Sequence, residues 1–227
     1  MHDNQDILEK LLENQSIKIQ RGPIFDTGPD PMPSDFDFDR FEGMMLGLAV
    51  GDSLGNTTEG MLPEQRYRNF GEIRDYLPNR YADDKRFGAP SDDTQLAFWT
   101  LEQLLKNDGL DPEQLALRLC HDRIFGIGST VRRFLANFTS GRSWMESGPE
   151  SAGNGALMRI APIIWPHLRS EGKGLWSDTA ICSMITHNDT ASISASVAFV
   201  SMLWELLKFE GLPTPQWWLD SYCSVAR

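Results

Sequence analysis

The chain has 227 residues and a mass of 25.6 kDa, with 21 basic and 32 acidic side chains, a net charge of −11 at neutral pH. That balance excludes a grip on nucleic acid through its phosphates and a polybasic mode at a membrane surface, and no apolar run reaches the roughly 18 residues of a membrane span. A composition of 41% hydrophobic and 23% charged residues is ordinarily globular and suits an enzyme or the partner of a basic protein.

Residues 1–39 carry nine acidic and three basic side chains. Their start has neither a basic segment nor an apolar one, so it does not read as a secretory signal. Ile7 to Leu12 suits a helical turn or two, but Pro23, Pro29, Pro31 and Pro33 exclude a regular helix or central strand beyond it. The expectation is an extended acidic arm, or a tail without fixed structure.

From Arg40 the pattern becomes helical, with Phe41, Met44, Met45 and Leu48 at i, i+3, i+4 and i+7. Gly51 and Gly55 are expected to end that helix. A second helix is expected from Ser91 to about Lys106, and a third behind the Asp111-Pro112 start signal. A fourth should start near Ser177 or Asp178. A densely apolar fifth is expected over about Thr190 to Phe209. Alternating strand-like runs are scarce, so the expected fold is all-α behind an extended arm. Cys120, Cys182 and Cys223 are far apart and form no CxxC pair, which points to reduced thiols and a cytoplasmic location.

Five segments carry chemistry. Ser91-Asp92-Asp93-Thr94 places four oxygen-bearing side chains in a row where a helix begins. Capping accounts for one of them; together they are hard ligands suited to Mg²⁺, Mn²⁺ or Ca²⁺. Gly51-Asp52-Ser53-Leu54-Gly55 is followed by Glu59, an acid placed to face a cleft or to be solvated in a loop. Ser151-Ala152-Gly153-Asn154-Gly155 offers backbone N–H groups to an anion at the start of an apolar helix, or simply caps that helix. Gly126-Ile127-Gly128-Ser129 is a second glycine-rich turn. His187, in Thr186-His187-Asn188-Asp189, precedes the fifth helix; the four histidines lack zinc-site spacing.

In this order the motifs resemble the ADP-ribosylglycohydrolase family. The match runs through Glu42-Gly43, Gly51 to Glu59, Ser91 to Thr94, Gly153-Asn154-Gly155-Ala156-Leu157-Met158-Arg159 and Thr186-His187, over about residues 40–210. The resemblance implies an all-helical hydrolase, folded as a compact orthogonal helical bundle, with a binuclear Mg²⁺ centre, Mn²⁺ being an alternative, that cleaves ADP-ribose from modified protein, with arginine favoured over serine as acceptor. It assigns Ser91, Asp92 and Asp93 as metal ligands, Ser91 replacing the more usual threonine. Glu59 becomes the acid near the scissile bond, with Asp92 beside it. Ser151, Gly153, Asn154 and Gly155 become the diphosphate and ribose loop, with Gly126, Gly128 and His187 lining the same cleft. Ala152 stands where some members carry an aromatic residue, and Trp144 is the substitute candidate for an adenine platform. The family's second Asp-rich motif has no counterpart after His187, so the expectation is a helical domain over 40–227 that is incomplete at its C-terminus. Some members resemble immunity proteins against ADP-ribosylating toxins. The arm, with Phe25, Phe36 and Phe38, is accordingly expected to occlude the basic cleft of a cognate ADP-ribosyltransferase. A non-catalytic inhibitory protein on the same scaffold is the alternative function.

Overall fold

Asp111 accepts a hydrogen bond from the Gln114 amide at 3.0 Å, Asp189 from the Ala191 amide at 2.9 Å, and Thr214 from the Trp217 amide at 3.2 Å. These side chains satisfy N–H groups that a helix start leaves unpaired, which is why three helices begin where they do. The computed structural model describes residues 4–226 except 80–82, 86, 171 and 173. Ten α-helices occur among the described residues: α1 (Asn4–Glu13), α2 (Asp39–Gly55), α3 (Pro63–Phe70), α4 (Asp92–Asn107), α5 (Pro112–Leu119), α6 (Ser129–Thr139), α7 (Trp144–Ser147), α8 (Leu175–Met184), α9 (Thr190–Leu206) and α10 (Pro215–Val225). Asn79 and Lys85 form the one β-bridge among those residues, so the fold is all-α. None of these helices is long and apolar enough to cross a membrane.

The centre of the core is α8, every residue of which is buried. It packs on α9, on α1 and on the 3₁₀ segment Ala161–His167. Its polar residues are satisfied internally. Thr179 Oγ1 donates to the Leu175 carbonyl at 2.7 Å, and Asp178 lies 2.9 Å from His167 Nε2 and accepts from Asn4 Nδ2 at 2.6 Å. α9 contributes Ile193, Val197, Val200 and Trp204 to the same core, and α4 contributes Leu96, Ala97 and Leu104. Each such side chain removed from water contributes about 1.5–3 kcal/mol for the larger residues.

Three expectations are corrected. α2 does end at Gly55, but it runs on through Gly51, where nothing crowds the backbone and the helix ladder is intact. The segment after the Gly153–Gly155 loop is not an apolar α-helix. It forms two 3₁₀ pieces, Leu157–Arg159 and Ala161–His167, since Pro162 and Pro166 cannot donate to an α-helical ladder. The apolar run expected to Phe209 is helical only as far as Leu206.

Residues 4–38 are folded onto the rest of the chain. α1 buries Leu8 and Leu11, and Ile17 follows them into the core. Phe38 meets Trp165 edge-on with ring centroids 6.1 Å apart, while the Arg169 guanidinium lies 4.6 Å over the same ring. Trp204 Nε1 donates to the Asp30 carbonyl at 2.8 Å. Phe36 and Phe38 thus find their apolar surroundings within this chain, instead of projecting toward a partner. Leu8, 1% exposed, tests this docking. Leu8→Ala should lower the unfolding free energy by about 2–4 kcal/mol in urea titration. A change within about 0.5 kcal/mol would mean that the arm is not part of the fold.

Candidate active-site cleft

Ser91 is the residue before α4, but its side chain does not cap that helix. The cap comes from α2. The Asp52 carboxylate accepts from the Ser91 amide at 2.7 Å, the Ser91 hydroxyl at 2.6 Å, the Thr94 amide at 3.1 Å and the Thr94 hydroxyl at 2.6 Å. A charge at this end of a helix is also favoured by the helix dipole. Asn56 Nδ2 donates to the Ala89 carbonyl at 2.8 Å and Asn56 Oδ1 accepts from Asn79 Nδ2 at 2.9 Å, which anchors the approach to Ser91. The turn Asn56–Thr58 then delivers Glu59 beside the start of α4.

A cleft of about 180 Å³ is lined by Glu59, Asp92, Asp93, Gly126, Gly128, Gly153, Asn154, Gly155 and His187, together with Thr130 and Met158. Nine of the residues singled out in the sequence therefore meet in one place. Ser91 instead lines an adjoining cavity of about 500 Å³, which shares Glu59, Asp93 and Asn154 with the cleft and has Met61, Pro63 and Arg66 on its far wall. Ser151 lies behind its loop, its hydroxyl 2.9 Å from that of Thr130. Trp144 is a correction: it is buried in the core, away from the cleft, and offers no face for stacking.

The two walls differ in charge. On one, burial pushes the Asp92 carboxyl above its ordinary range, against the pull of the Asp92 and Gly128 backbone N–H groups. Burial, then Asp52, Asp92 and Glu59, push Asp93 up to about 6. No Lys or Arg lines this cleft among the described residues. The rest of the lining is largely backbone. Gly126 sits at φ +75°, a conformation that suits glycine. The turn it forms leads to α6, whose first residues have no side-chain cap and so present free N–H groups. Gly155 lies flat against the His187 ring, where an added Cβ would come within 2.7 Å of Cε1. Burial, and then the nearby Arg159, hold His187 down at about 4, so it is neutral at physiological pH.

The carboxylates suit a divalent cation chemically, as hard oxygen donors lacking a counter-charge. Among the described residues, however, no three acidic, His or Cys side chains are already gathered as a metal site. The part of Asp52 in building this wall was not read from the sequence. The signal was there, an acid between small residues one helical turn before Gly55, but its partners lie about forty positions away.

The model of the ADP-ribosylglycohydrolase family matches residues 32–224. A protein of Archaeoglobus fulgidus is 35% identical over 167 residues, 70% of this chain and 53% of its own. The ADP-ribosylarginine hydrolase Tri1 of Serratia proteamaculans is 30% identical over 78% of this chain and 50% of its own. The ADP-ribosyl-[dinitrogen reductase] glycohydrolase of Rhodospirillum rubrum is 30% identical over 77% and 60%. A solved structure, an ADP-ribosylglycohydrolase-related protein complex, superposes with a TM-score of 0.56 at 32% identity, covering 74% of this chain and 55% of that one. The chain spans about half the length of the curated relatives it matches. It belongs to the ADP-ribosylglycohydrolase family.

Two variants test the carboxylate wall. Asp52→Ala removes four hydrogen bonds at the start of α4 and should cost about 2–4 kcal/mol. An unchanged urea midpoint would contradict the cap. Asp93 is held above the usual carboxylate range, so its contribution favours folding at low pH and is lost as the pH rises through about 6. Discounted for partial exposure, that loss is about 1–2 kcal/mol. Metal-free Asp93→Asn should therefore unfold about 3–6 °C above the unsubstituted chain at pH 8. The gain should fade below pH 5. No gain at pH 8 would contradict the raised carboxyl.

Proposed function

We propose that this ADP-ribosylglycohydrolase-family chain takes part in hydrolysing the glycosidic bond between ADP-ribose and a protein side chain, with arginine as the preferred acceptor. One observation carries the reading: carboxylates and the backbone of two glycine-rich loops line a single cleft. The names of two relatives, which act on ADP-ribosylarginine and on ADP-ribosyl-dinitrogen reductase, support the substrate class.

A diphosphate is repelled by carboxylates and suits the Gly126–Ser129 turn, the start of α6 and the Gly153–Gly155 loop. That orientation sends the terminal ribose toward Asp92, Asp93 and Glu59. The acceptor then enters the adjoining cavity, because Glu59, Asp93 and Asn154 border both spaces. Departure of the acceptor builds positive charge at C1″, which the Glu59 carboxylate stabilises from close range. Glu59 also takes the proton of the incoming water as its oxygen bonds to C1″. Asn154, shared by the two spaces, orients the ribose by hydrogen bonding. Asp92 and Asp93, with the Ser91 hydroxyl, would hold Mg²⁺ or Mn²⁺. The cation would supply charge neutralisation and Lewis-acid positioning of ribose hydroxyls and water. Reduced cysteines fit a cytoplasmic setting.

Glu59→Gln should slow release of ADP-ribose from an ADP-ribosylated arginine substrate by about 100-fold or more. ADP-ribose affinity should stay within about threefold in calorimetry, since only transition-state assistance is lost. Turnover at the unsubstituted rate would return Glu59 to the status of a solvated loop residue.

A further inference from the structure

Arg159 is fully buried, and its described partners are all neutral. Nη1 donates to Cys182 Sγ at 3.3 Å, Nη2 to the Cys182 carbonyl at 2.8 Å and to Thr186 Oγ1 at 3.0 Å, while Nε has no partner. A guanidinium cannot lose its proton, so the charge stays. Holding it there without a carboxylate is costly, which points to a task.

That task is visible one bond further on. Thr186 is itself fully buried, and its Oγ1 lies 3.0 Å from His187 Nδ1. One lone pair of the hydroxyl takes the Arg159 proton, and a buried hydroxyl hydrogen is costly to leave without an acceptor. His187 Nδ1 is the acceptor within reach among the described residues. A donated Nδ1 carries no proton of its own. Burial and the Arg159 charge keep the ring neutral, so its single N–H is at Nε2. Nε2 has no protein partner among the described residues. It faces the loop that lines the cleft, 2.9 Å from the position a Cβ on Gly155 would take and 3.6 Å from that on Gly153.

We propose that Arg159, acting through the Thr186 hydroxyl, is a positioning residue that fixes His187 as the neutral Nε2–H tautomer, a donor aimed at an anionic oxygen of a ligand seated on the Gly153–Gly155 loop. The identity of that ligand as ADP-ribose rests on the proposed function; the tautomer does not. A neutral donor recognises the oxygen without adding a titrating charge opposite Asp92 and Asp93. The edge of the ring that carries Nε2 is also the one against Gly155, where an added Cβ would come within 2.7 Å of Cε1.

Long-range ¹⁵N–¹H correlation spectra of the full chain at pH 7.5, with labelled histidine, read the tautomer directly, and His187→Asn assigns the signals. The unsubstituted chain and Thr186→Ser should show His187 protonated at Nε2 and unprotonated at Nδ1. Thr186→Val should lose that bias, both nitrogens moving toward intermediate shifts. It should also weaken ADP-ribose binding about 5- to 10-fold in calorimetry. Arg159→Met should do the same wherever it folds; Thr186→Val decides the matter if it does not. Protonation at Nδ1 in the unsubstituted chain overturns the proposal. So does weaker binding by Thr186→Val with the tautomer unchanged, which would be a purely structural effect. The predicted tautomer in a chain that does not bind ADP-ribose sustains the relay and contradicts the functional reading.

Discussion

One carboxylate joins the two elements on which the acidic wall depends. Asp52, in the last turn of α2, takes both the amide and hydroxyl protons of Ser91 and of Thr94. Asp92 and Asp93 sit between those two residues, so their direction is set by a helix start that α4 does not cap for itself. The same contact has a cost. It brings a further negative charge close to Asp93, already raised by burial. The cap on α4 and the ionisation of Asp93 are thus opposed at this point.

The opposite wall is positioned from the interior. α8 is buried on every side, and its C-terminal end delivers Thr186 and His187 beneath the glycine loop. Arg159 reaches back from the 3₁₀ turn after that loop to Cys182 in α8. The loop and the histidine are therefore tied together twice, by the guanidinium behind them and by contact in front. The arm reinforces the same corner. Asn188 accepts from the Lys18 amide at 2.9 Å and donates to the Ser16 carbonyl at 2.7 Å, one residue beyond His187. Residues 16–18 thereby brace the back of the site.

Local signals were readable in the sequence where a helix carries an apolar stripe or a cap. α4, α5 and α9 were visible from Ser91, from Asp111-Pro112 and from the run beginning at Thr190. α3 has no buried residue to reveal it; α6 does carry a stripe, Val131, Phe134, Leu135 and Phe138 at i, i+3, i+4 and i+7, and that signal went unread. The cleft residues were legible from their order along the chain: each motif alone has an ordinary reading as a cap or a loop, and four of them in sequence resemble one family. The contacts that hold them were not. Asp52 to Ser91, Arg159 to Thr186 and Asn188 to Ser16 span separations of 39, 27 and 172 positions. No periodicity records a pairing at such distances. The arm shows the same limit: its prolines foretell extended chain, but not the surface on which that chain lies.

The central claim is that one cleft, walled by the carboxylates at the start of α4 and by the two glycine loops, takes the ligand. Hydrogen exchange of the chain with and without ADP-ribose tests it most directly. Binding should slow exchange together at residues 126–130, 151–158 and 186–188, with no change along the arm cavity formed by residues 5–28 beside Trp176. Protection confined to that arm cavity, with both glycine loops unaffected, would contradict the account.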